Sequence, residues 1–231
     1  MSSKPTPVVF IPALLCDERL YQDVITELGD AIEAQVMLSP KPRLEDSVAD
    51  ILARAPATFA LVGTSYGGNL ALEIALAAPE RVTALWLMGC NPGAPKVGGL
   101  DLAGKLQATP AAVFDMLAAR VVRKDASAAA ATFKLMAQRV GGDAGAAQAS
   151  AAGTRREASS RLGALTMPAL VLWGEEDALV PVSMGQALAD GLPHARFHVI
   201  KNCGHLPTLE NPKECAAMFG ELLHEVASQE R

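Results

Sequence analysis

The chain has 231 residues, half of them hydrophobic, and a net charge of −5. A chain of this length buries roughly 70 % of its unfolded surface, so one large domain or two small ones can fold without disulfides or metals. The net negative charge and the lack of a run of basic residues argue against nucleic acid and anionic membranes as partners. The apolar runs are far shorter than the about 20 residues that cross a bilayer.

The N-terminal apolar stretch faintly resembles an export signal, because Lys4 precedes the apolar residues 8–15. Two prolines interrupt it, and Leu15 is too large for the small residue that signal cleavage requires. We therefore predict a strand here and a cytoplasmic protein. The four cysteines have no paired spacing and are predicted to be reduced thiols. Cys203-x-His205 resembles only half of a metal site, so we expect neither a metal nor a cofactor.

Strands and helices alternate over the first part of the chain. Residues 7–12 and 32–37 predict strands, because their side chains are apolar or alternate in polarity. Asp17 is predicted to cap a helix that runs to Leu28, with apolar residues at helical spacing. A second helix is predicted over residues 44–55 by the same spacing.

The sequence centres on residues 58–78. An apolar run predicts a buried strand, and the apolar positions after it have helical spacing. Between them lies the turn Gly63-Thr64-Ser65-Tyr66-Gly67-Gly68, which contains G-x-S-x-G. A serine at such a sharp strand-to-helix turn is strained, and its hydroxyl points clear of the backbone. The N-terminus of the following helix favours negative charge developing at the serine.

The character of the sequence changes over residues 93–162. Alanine dominates there, no strand is predicted, and glycine pairs occur at Gly98-Gly99 and Gly141-Gly142. We interpret this stretch as three or four amphipathic helices that form a cap inserted into a core of residues 1–92 and 163–231. The alternative is that these are simply core helices.

Strand–helix alternation surrounds this segment. Strands are predicted over residues 82–88, 169–173 and 196–200, with helices over 181–192 and 212–226. Apolar strands that alternate with helices predict an α/β fold whose parallel sheet is covered on both faces.

Three polar residues directly follow predicted strands, namely Ser65, Asp177 and His205. Active groups of such sheets lie beyond the carboxyl ends of the strands, so we expect all three at one edge. A serine hydroxyl becomes a good nucleophile only when a histidine takes its proton and an acid holds that histidine. The chain therefore carries the residue types for nucleophilic catalysis.

Three motifs resemble the catalytic blocks of the α/β-hydrolase superfamily, especially its serine esterase- and lactonase-like members with a helical cap. The resemblance implies an α/β-hydrolase fold with a sheet of about six parallel strands. It also implies a hydrolase with Ser65 as nucleophile, His205 as base and Asp177 as acid. The motifs are Gly63-Thr64-Ser65-Tyr66-Gly67-Gly68, Gly174-Glu175-Glu176-Asp177-Ala178-Leu179-Val180-Pro181 and Gly204-His205-Leu206-Pro207-Thr208-Leu209-Glu210-Asn211-Pro212.

The alternatives to the acid are weaker. Glu175 and Glu176 lie beside Asp177, but only Asp177 matches the G-x-x-D-x-x-V-P pattern of the family. Some members carry the acid after the preceding strand, and that position here lies near Asn91, which has no charge to hold an imidazolium.

The oxyanion hole departs from the pattern of the family. The family usually has His-Gly after its first strand, whereas this chain has Pro12-Ala13-Leu14. Backbone donors do not depend on side chains, so the N–H groups of Leu14 and Tyr66 are the expected donors to an oxyanion.

The resemblance leaves the substrate open. We predict a carboxylesterase that acts on a small-molecule ester or lactone and is a monomer or homodimer. An enol-lactonase, a carbon–carbon bond hydrolase of ring-cleavage products and a hydrolase-fold binding protein are the alternatives. Small apolar residues in the cap predict a modest hydrophobic acyl pocket. Four cap arginines could clamp a substrate carboxylate or belong to solvated helix faces: Arg120, Arg123, Arg155 and Arg156.

Overall fold

The computed structural model describes residues 4–95, 98 and 100–229 and contains a six-stranded sheet in which all neighbouring strands are parallel. The strand order is β2-β1-β3-β4-β5-β6. This confirms the predicted α/β fold with about six parallel strands. The strands are β1 (Thr6–Ile11), β2 (Ile32–Val36), β3 (Phe59–Thr64), β4 (Val82–Met88), β5 (Ala169–Gly174) and β6 (Ala195–Ile200).

Helices cover both faces of the sheet. Successive residues of β1 point to opposite sides, so Val8 and Phe10 enter one hydrophobic cluster while Val9 and Ile11 enter the other. The described helices are α1 (Gln22–Leu28), α2 (Leu44–Arg54), α3 (Tyr66–Ala77), α4 (Leu102–Ala108), α5 (Pro110–Ala118), α6 (Ser127–Gly153), α7 (Val182–Gly191), α8 (Pro207–Glu210) and α9 (Pro212–Gln229). Helices α1 and α9 pack on the first cluster, whereas α2, α3 and α7 pack on the second.

The strand order reverses beside β1. The chain passes from β1 outward to β2 and then returns to the other side of β1 as β3. Such a reversal leaves a crevice at the carboxyl ends of the two central strands, because their connections leave in opposite directions. The segments that enter this crevice are the turn after β1 and Ser65, which follows β3.

The structure corrects several predicted boundaries. The helix predicted from Asp17 to Leu28 is divided into a 3-10 turn, Glu18–Leu20, and helix α1. Asp17 does cap, but it caps the 3-10 turn, where its Oδ1 accepts a hydrogen bond from the N–H of Arg19 at 3.0 Å. Pro181 is the N-cap of α7 rather than its first residue.

Residues 93–162, which we call the inserted segment, lie between β4 and β5. In their described part they form α4, α5, α6 and most of a 3-10 turn (Ser159–Ala164), and no strand. Helix α6 is interrupted at Gly141, where φ is 83° and ψ is 164°. Gly98 also has a positive φ of 78°, whereas Gly99 lies outside the described residues. None of the described helices combines the length and the apolar character needed to cross a bilayer.

Gly67 provides a test of the close packing between α3 and β1. A Cβ atom on Gly67 would lie 2.1 Å from the carbonyl oxygen of Ile11 and 2.5 Å from that of Pro12. Because both are backbone atoms near the centre of the sheet, Gly67→Ala should lower the free energy of unfolding by about 3 kcal/mol. Chemical denaturation measures this change.

Gly153→Ala is the matched control. Gly153 ends α6, is exposed, and has no atom within 4 Å of an added Cβ. This substitution should leave the stability unchanged or raise it by up to about 1 kcal/mol. Equal losses in the two variants would contradict the packing argument.

Candidate active site

Ser65 occupies a strained turn between β3 and α3. Its φ of 55° and ψ of −115° are rare for a residue with a side chain. The Ser65 N–H donates to the carbonyl oxygen of Met88 at 2.7 Å, and the Ser65 carbonyl accepts the Asn69 N–H at 3.0 Å. Glycine is required beside it, because a Cβ on Gly63 would lie 2.4 Å from the Gly67 oxygen. The surrounding backbone therefore holds the strained serine in place.

His205 and Asp177 form a buried pair. The Nδ1 atom of His205 lies 2.7 Å from Oδ2 of Asp177, and the two side chains are 2 % and 1 % exposed. The other carboxylate oxygen, Oδ1, accepts the N–H groups of Leu179 at 2.8 Å and Val180 at 2.9 Å. With its carboxylate ionised, Asp177 can only accept, so Nδ1 carries the hydrogen and Nε2 of the neutral ring is free to take a proton.

Two neighbouring features hold this pair in place. Gly89, at the end of β4, has a φ of 57°, and a Cβ there would lie 2.8 Å from Cε1 of His205. The indole Nε1 of Trp173 donates to the carbonyl oxygen of Val180 at 2.9 Å, which fixes the far end of the loop that carries Asp177. The ring of His205 and the loop of its partner are thus both confined.

Ser65 and His205 line one small cavity of about 60 Å³. The structure therefore brings together the three residues predicted from the strand ends. Leu14 also lines the cavity, while Tyr66 follows Ser65 as the first residue of α3. Among the described residues, every lining side chain apart from those of Ser65 and His205 is apolar, and three of them come from the inserted segment. The apolar lining consists of Ala13, Leu14, Leu117, Val121, Phe133, Leu179 and Leu206.

The four cap arginines do not line this cavity. Arg120 donates to the carbonyl oxygen of Ala178 at 3.4 Å, and Arg123 forms an ion pair with Asp125. Arg155 donates to three backbone carbonyl groups, while Arg156 lines an outer surface cleft. In the described part of the chain, these guanidinium groups therefore contact loops and surface, which agrees with the alternative of helix faces at the surface and not with a carboxylate clamp.

Metal ligands do not cluster in the described residues. No group of three or more His, Cys, Asp or Glu side chains has suitable geometry there. The thiol of Cys203 is buried, and burial raises its pKa to about 12. The four cysteines are free thiols, as predicted.

Glu210 has a buried side chain whose role the sequence did not reveal. Its Oε1 accepts the N–H of Gly204 at 2.9 Å, and its Oε2 accepts the N–H of Arg123 at 3.0 Å. The side chain is only 2 % exposed. Glu210 therefore ties the loop that carries His205 to the inserted segment. It stands within the third motif, but one of its partners lies 87 positions away in the sequence.

A comparison with known protein families identifies the family to which the chain belongs. A family model described as the alpha/beta hydrolase fold matches residues 43–212. The chain belongs to the α/β-hydrolase family. This assignment agrees with the six parallel strands and with the glycine-rich turn around Ser65.

Two bacterial relatives are similar over 71 % of the chain. One is a 2-hydroxy-6-oxononadienedioate/2-hydroxy-6-oxononatrienedioate hydrolase of Cupriavidus pinatubonensis, 32 % identical. The other is a 2-hydroxymuconate semialdehyde hydrolase of a Pseudomonas species, 34 % identical. The matches cover 61 % and 62 % of those proteins, so this α/β-hydrolase spans less than two thirds of their length.

Two solved structures have the same fold. A thermophilic esterase from Thermogutta terrifontis has a TM-score of 0.86 at 21 % identity and covers 97 % of this chain and 92 % of its own. The enol-lactonase from Burkholderia xenovorans LB400 has a TM-score of 0.86 at 17 % identity, and the match covers 96 % of this chain and 92 % of the enol-lactonase chain. At these identities the similarity establishes the fold alone.

The buried carboxylate of Glu210 predicts a pH-dependent contribution to stability. Burial raises the pKa of Glu210 above its ordinary value of 4.5, although Arg123 and two backbone N–H groups act in the opposite direction. The folded state then holds the proton more tightly than the unfolded state. This contribution to stability is full below about pH 4.5 and is lost as the pH rises through the raised pKa.

The measurement is the free energy of unfolding of the native protein and of Glu210→Gln from pH 4 to pH 8. The native protein should lose stability relative to this variant as the pH rises. Glu221→Gln, which removes an exposed carboxylate on α9, is the control and should parallel the native protein. A constant difference between the native protein and Glu210→Gln would refute the argument.

Proposed function

We propose that this α/β-hydrolase is a serine hydrolase that cleaves small uncharged carboxylic esters through an acyl-enzyme on Ser65. One observation carries the proposal. Ser65, held at a φ of 55°, lines the same cavity as His205, whose Nδ1 is bound to the buried carboxylate of Asp177. A nucleophile, a base and an acid that orients the base are the parts that acyl transfer requires.

The reaction begins with attack of Ser65 Oγ on the ester carbonyl carbon, while Nε2 of His205 takes the hydroxyl proton. Asp177 stabilises the imidazolium that forms. Collapse of the tetrahedral intermediate breaks the bond to the alcohol, which leaves with the proton from His205. A water molecule then attacks the acyl-enzyme by the same steps and releases the carboxylic acid.

The negative charge on the tetrahedral oxygen needs donors that are already in place. We assign this role to the N–H groups of Leu14, beside Ser65 in the cavity, and Tyr66, at the first position of α3. The N-terminus of α3 adds its positive dipole end at the same place.

The inserted segment is proposed to act as a cap over the site. Leu117, Val121 and Phe133 all belong to it, and all three line the cavity with Ser65. Their side chains exclude water from the reacting groups and shape the acyl pocket.

The cavity limits the substrate in size and charge. A small cavity, of about 60 Å³, suits a short acyl group. Among the described residues no cation lines this pocket, so a carboxylate there would be buried against apolar side chains, which is costly. We therefore propose short, uncharged acyl chains.

A second candidate is hydrolysis of a carbon–carbon bond or an enol-lactone. The names of the two relatives support it, since both describe hydrolases of ring-cleavage-type compounds. The name of the first relative specifies a substrate with two carboxylates. We rank this candidate second, because a dianion is poorly suited to the apolar side chains among the described lining residues.

Covalent labelling tests the nucleophile. A fluorophosphonate should add once to the native protein, and peptide mass mapping should locate the adduct at Ser65. Ser65→Ala should take no adduct and should lower kcat by about 10⁴- to 10⁶-fold. Ser183→Ala, at an exposed serine on α7, should behave as the native protein does. An adduct that persists in Ser65→Ala would remove Ser65 from the mechanism.

A substrate series tests the class. We expect kcat/KM to be highest for p-nitrophenyl acetate and butyrate and to fall for the octanoate, because the cavity is small. A dienedioate ring-cleavage product and an enol-lactone run in parallel should react more slowly. Fast cleavage of either one with weak ester turnover would replace the esterase proposal by the second candidate.

A further inference from the structure

The turn after β1 contains another strained residue. The Cys16 N–H donates to the carbonyl oxygen of Ala13 at 3.0 Å, which closes a four-residue turn. Leu15, in third position, has a φ of 61°. A type II turn has positive φ at this position and usually places glycine there. A leucine in this conformation needs support from its surroundings.

Helix α6 gives that support. The N–H of Leu15 donates to Oε1 of Gln148 at 3.0 Å, across 133 positions of sequence, and Gln148 is only 2 % exposed. A backbone N–H can only donate, so the oxygen of the amide must face it. Gly145, one turn earlier, makes room for the Leu15 side chain, since a Cβ there would lie 2.4 Å from its Cδ2. The helix therefore contacts both the backbone and the side chain of Leu15.

The same helix contacts the residues that follow the turn. Arg139 forms an ion pair with Glu18, and its guanidinium lies 3.7 Å from Oδ2 of Asp17. Together with the Gln148 hydrogen bond, these contacts hold the start of the connection between β1 and α1 against helix α6. Gln148 is the member of this set that reaches the turn lining the cavity.

Rotation of the Leu14–Leu15 peptide would remove the positive φ of Leu15. Turns of types I and II differ by such a rotation. It would break the hydrogen bond to Gln148 and loosen the turn in which the Ala13 carbonyl accepts the Cys16 N–H. That carbonyl and the N–H of Leu14 belong to the same peptide. Leu14 lines the cavity beside Ser65, so a looser turn would leave the direction of the Leu14 N–H less fixed.

We propose that Gln148 is a positioning residue for the oxyanion hole. By accepting the N–H of Leu15 it keeps the turn closed, and the closed turn fixes the Ala13–Leu14 peptide. The carbonyl of that peptide accepts the Cys16 N–H, and its N–H, that of Leu14, points to the opposite side, where the oxyanion forms. The proposal rests on the function proposed above, in which Leu14 is an oxyanion donor. It gives the inserted segment a part in transition-state stabilisation, in addition to lining the pocket.

The test compares Gln148→Met, which keeps the length of the side chain but removes the acceptor, with Gln148→Glu, which keeps an acceptor oxygen. Gln148→Asn, whose amide is too short to reach Leu15, gives a second loss variant should the methionine variant not fold. Thr154→Val is the control. The hydroxyl of Thr154 accepts the N–H of Leu44 at 3.0 Å, so it too is a side-chain hydrogen bond between the inserted segment and the rest of the chain. Both residues line a surface cleft other than the cavity of Ser65.

The measurements are kcat and KM for p-nitrophenyl acetate, the rate of fluorophosphonate addition to Ser65, and the melting temperature. Active enzyme is counted by the final extent of labelling. Gln148→Met and Gln148→Asn should lower kcat about 10- to 100-fold and change KM less than about threefold. The reason is that the displaced donor stabilises the transition state and contributes little to substrate binding. Labelling should slow in parallel. Gln148→Glu should regain most of kcat, and Thr154→Val should lower the melting temperature alone.

A native kcat in the loss variants, or an equal loss of kcat in Thr154→Val, would overturn the role of Gln148. No recovery in Gln148→Glu would do the same. Absence of both labelling and ester turnover in the native protein would instead refute the function proposed for Ser65.

Discussion

The positive φ of Ser65 is the constraint on which the geometry of the site depends. It brings the start of α3 so close to β1 that a Cβ on Gly67 would strike the backbone of Ile11. The same closeness sets Ser65 beside the turn after β1, so that a serine and the backbone of Leu14 share one cavity. The strain at Ser65 persists because the buried strands and helices on both sides are closely packed and leave the turn no room to relax.

Much of the fold was predictable because its signals are local. The strands are short apolar runs between turns, and the G-x-S-x-G turn needs only residues near Ser65. The positions of Asp177 and His205 followed from a general property of parallel sheets, whose strand ends share one edge. The division of the first helix at Leu20 was missed, because the apolar spacing continues through a 3-10 turn that differs from an α-helix only in its tighter winding.

The features that could not be predicted from the sequence depend on contacts between residues that lie far apart in the chain. Gln148 and Glu210 are polar residues of ordinary types, and their importance comes from the backbone N–H groups that they meet far along the chain. By charge alone, the arginines of the inserted segment could form a carboxylate clamp or lie on solvated helix faces, and the fold turns them towards loops and surface. The side chains that the inserted segment contributes to the cavity come from the part of the sequence that carries the weakest signals.

The two tryptophans give the molecule its own optical probes. Trp86 is buried and stacks on Phe219 with ring centroids 4.7 Å apart, so its emission reports on the core. Trp173 is bound through its indole to Val180, at the end of the loop that holds Asp177. Replacing Trp86 with phenylalanine would leave Trp173 as the single tryptophan, bound to the loop that carries Asp177. Movement of that loop during a reaction would then be visible as a change in fluorescence, without any added label.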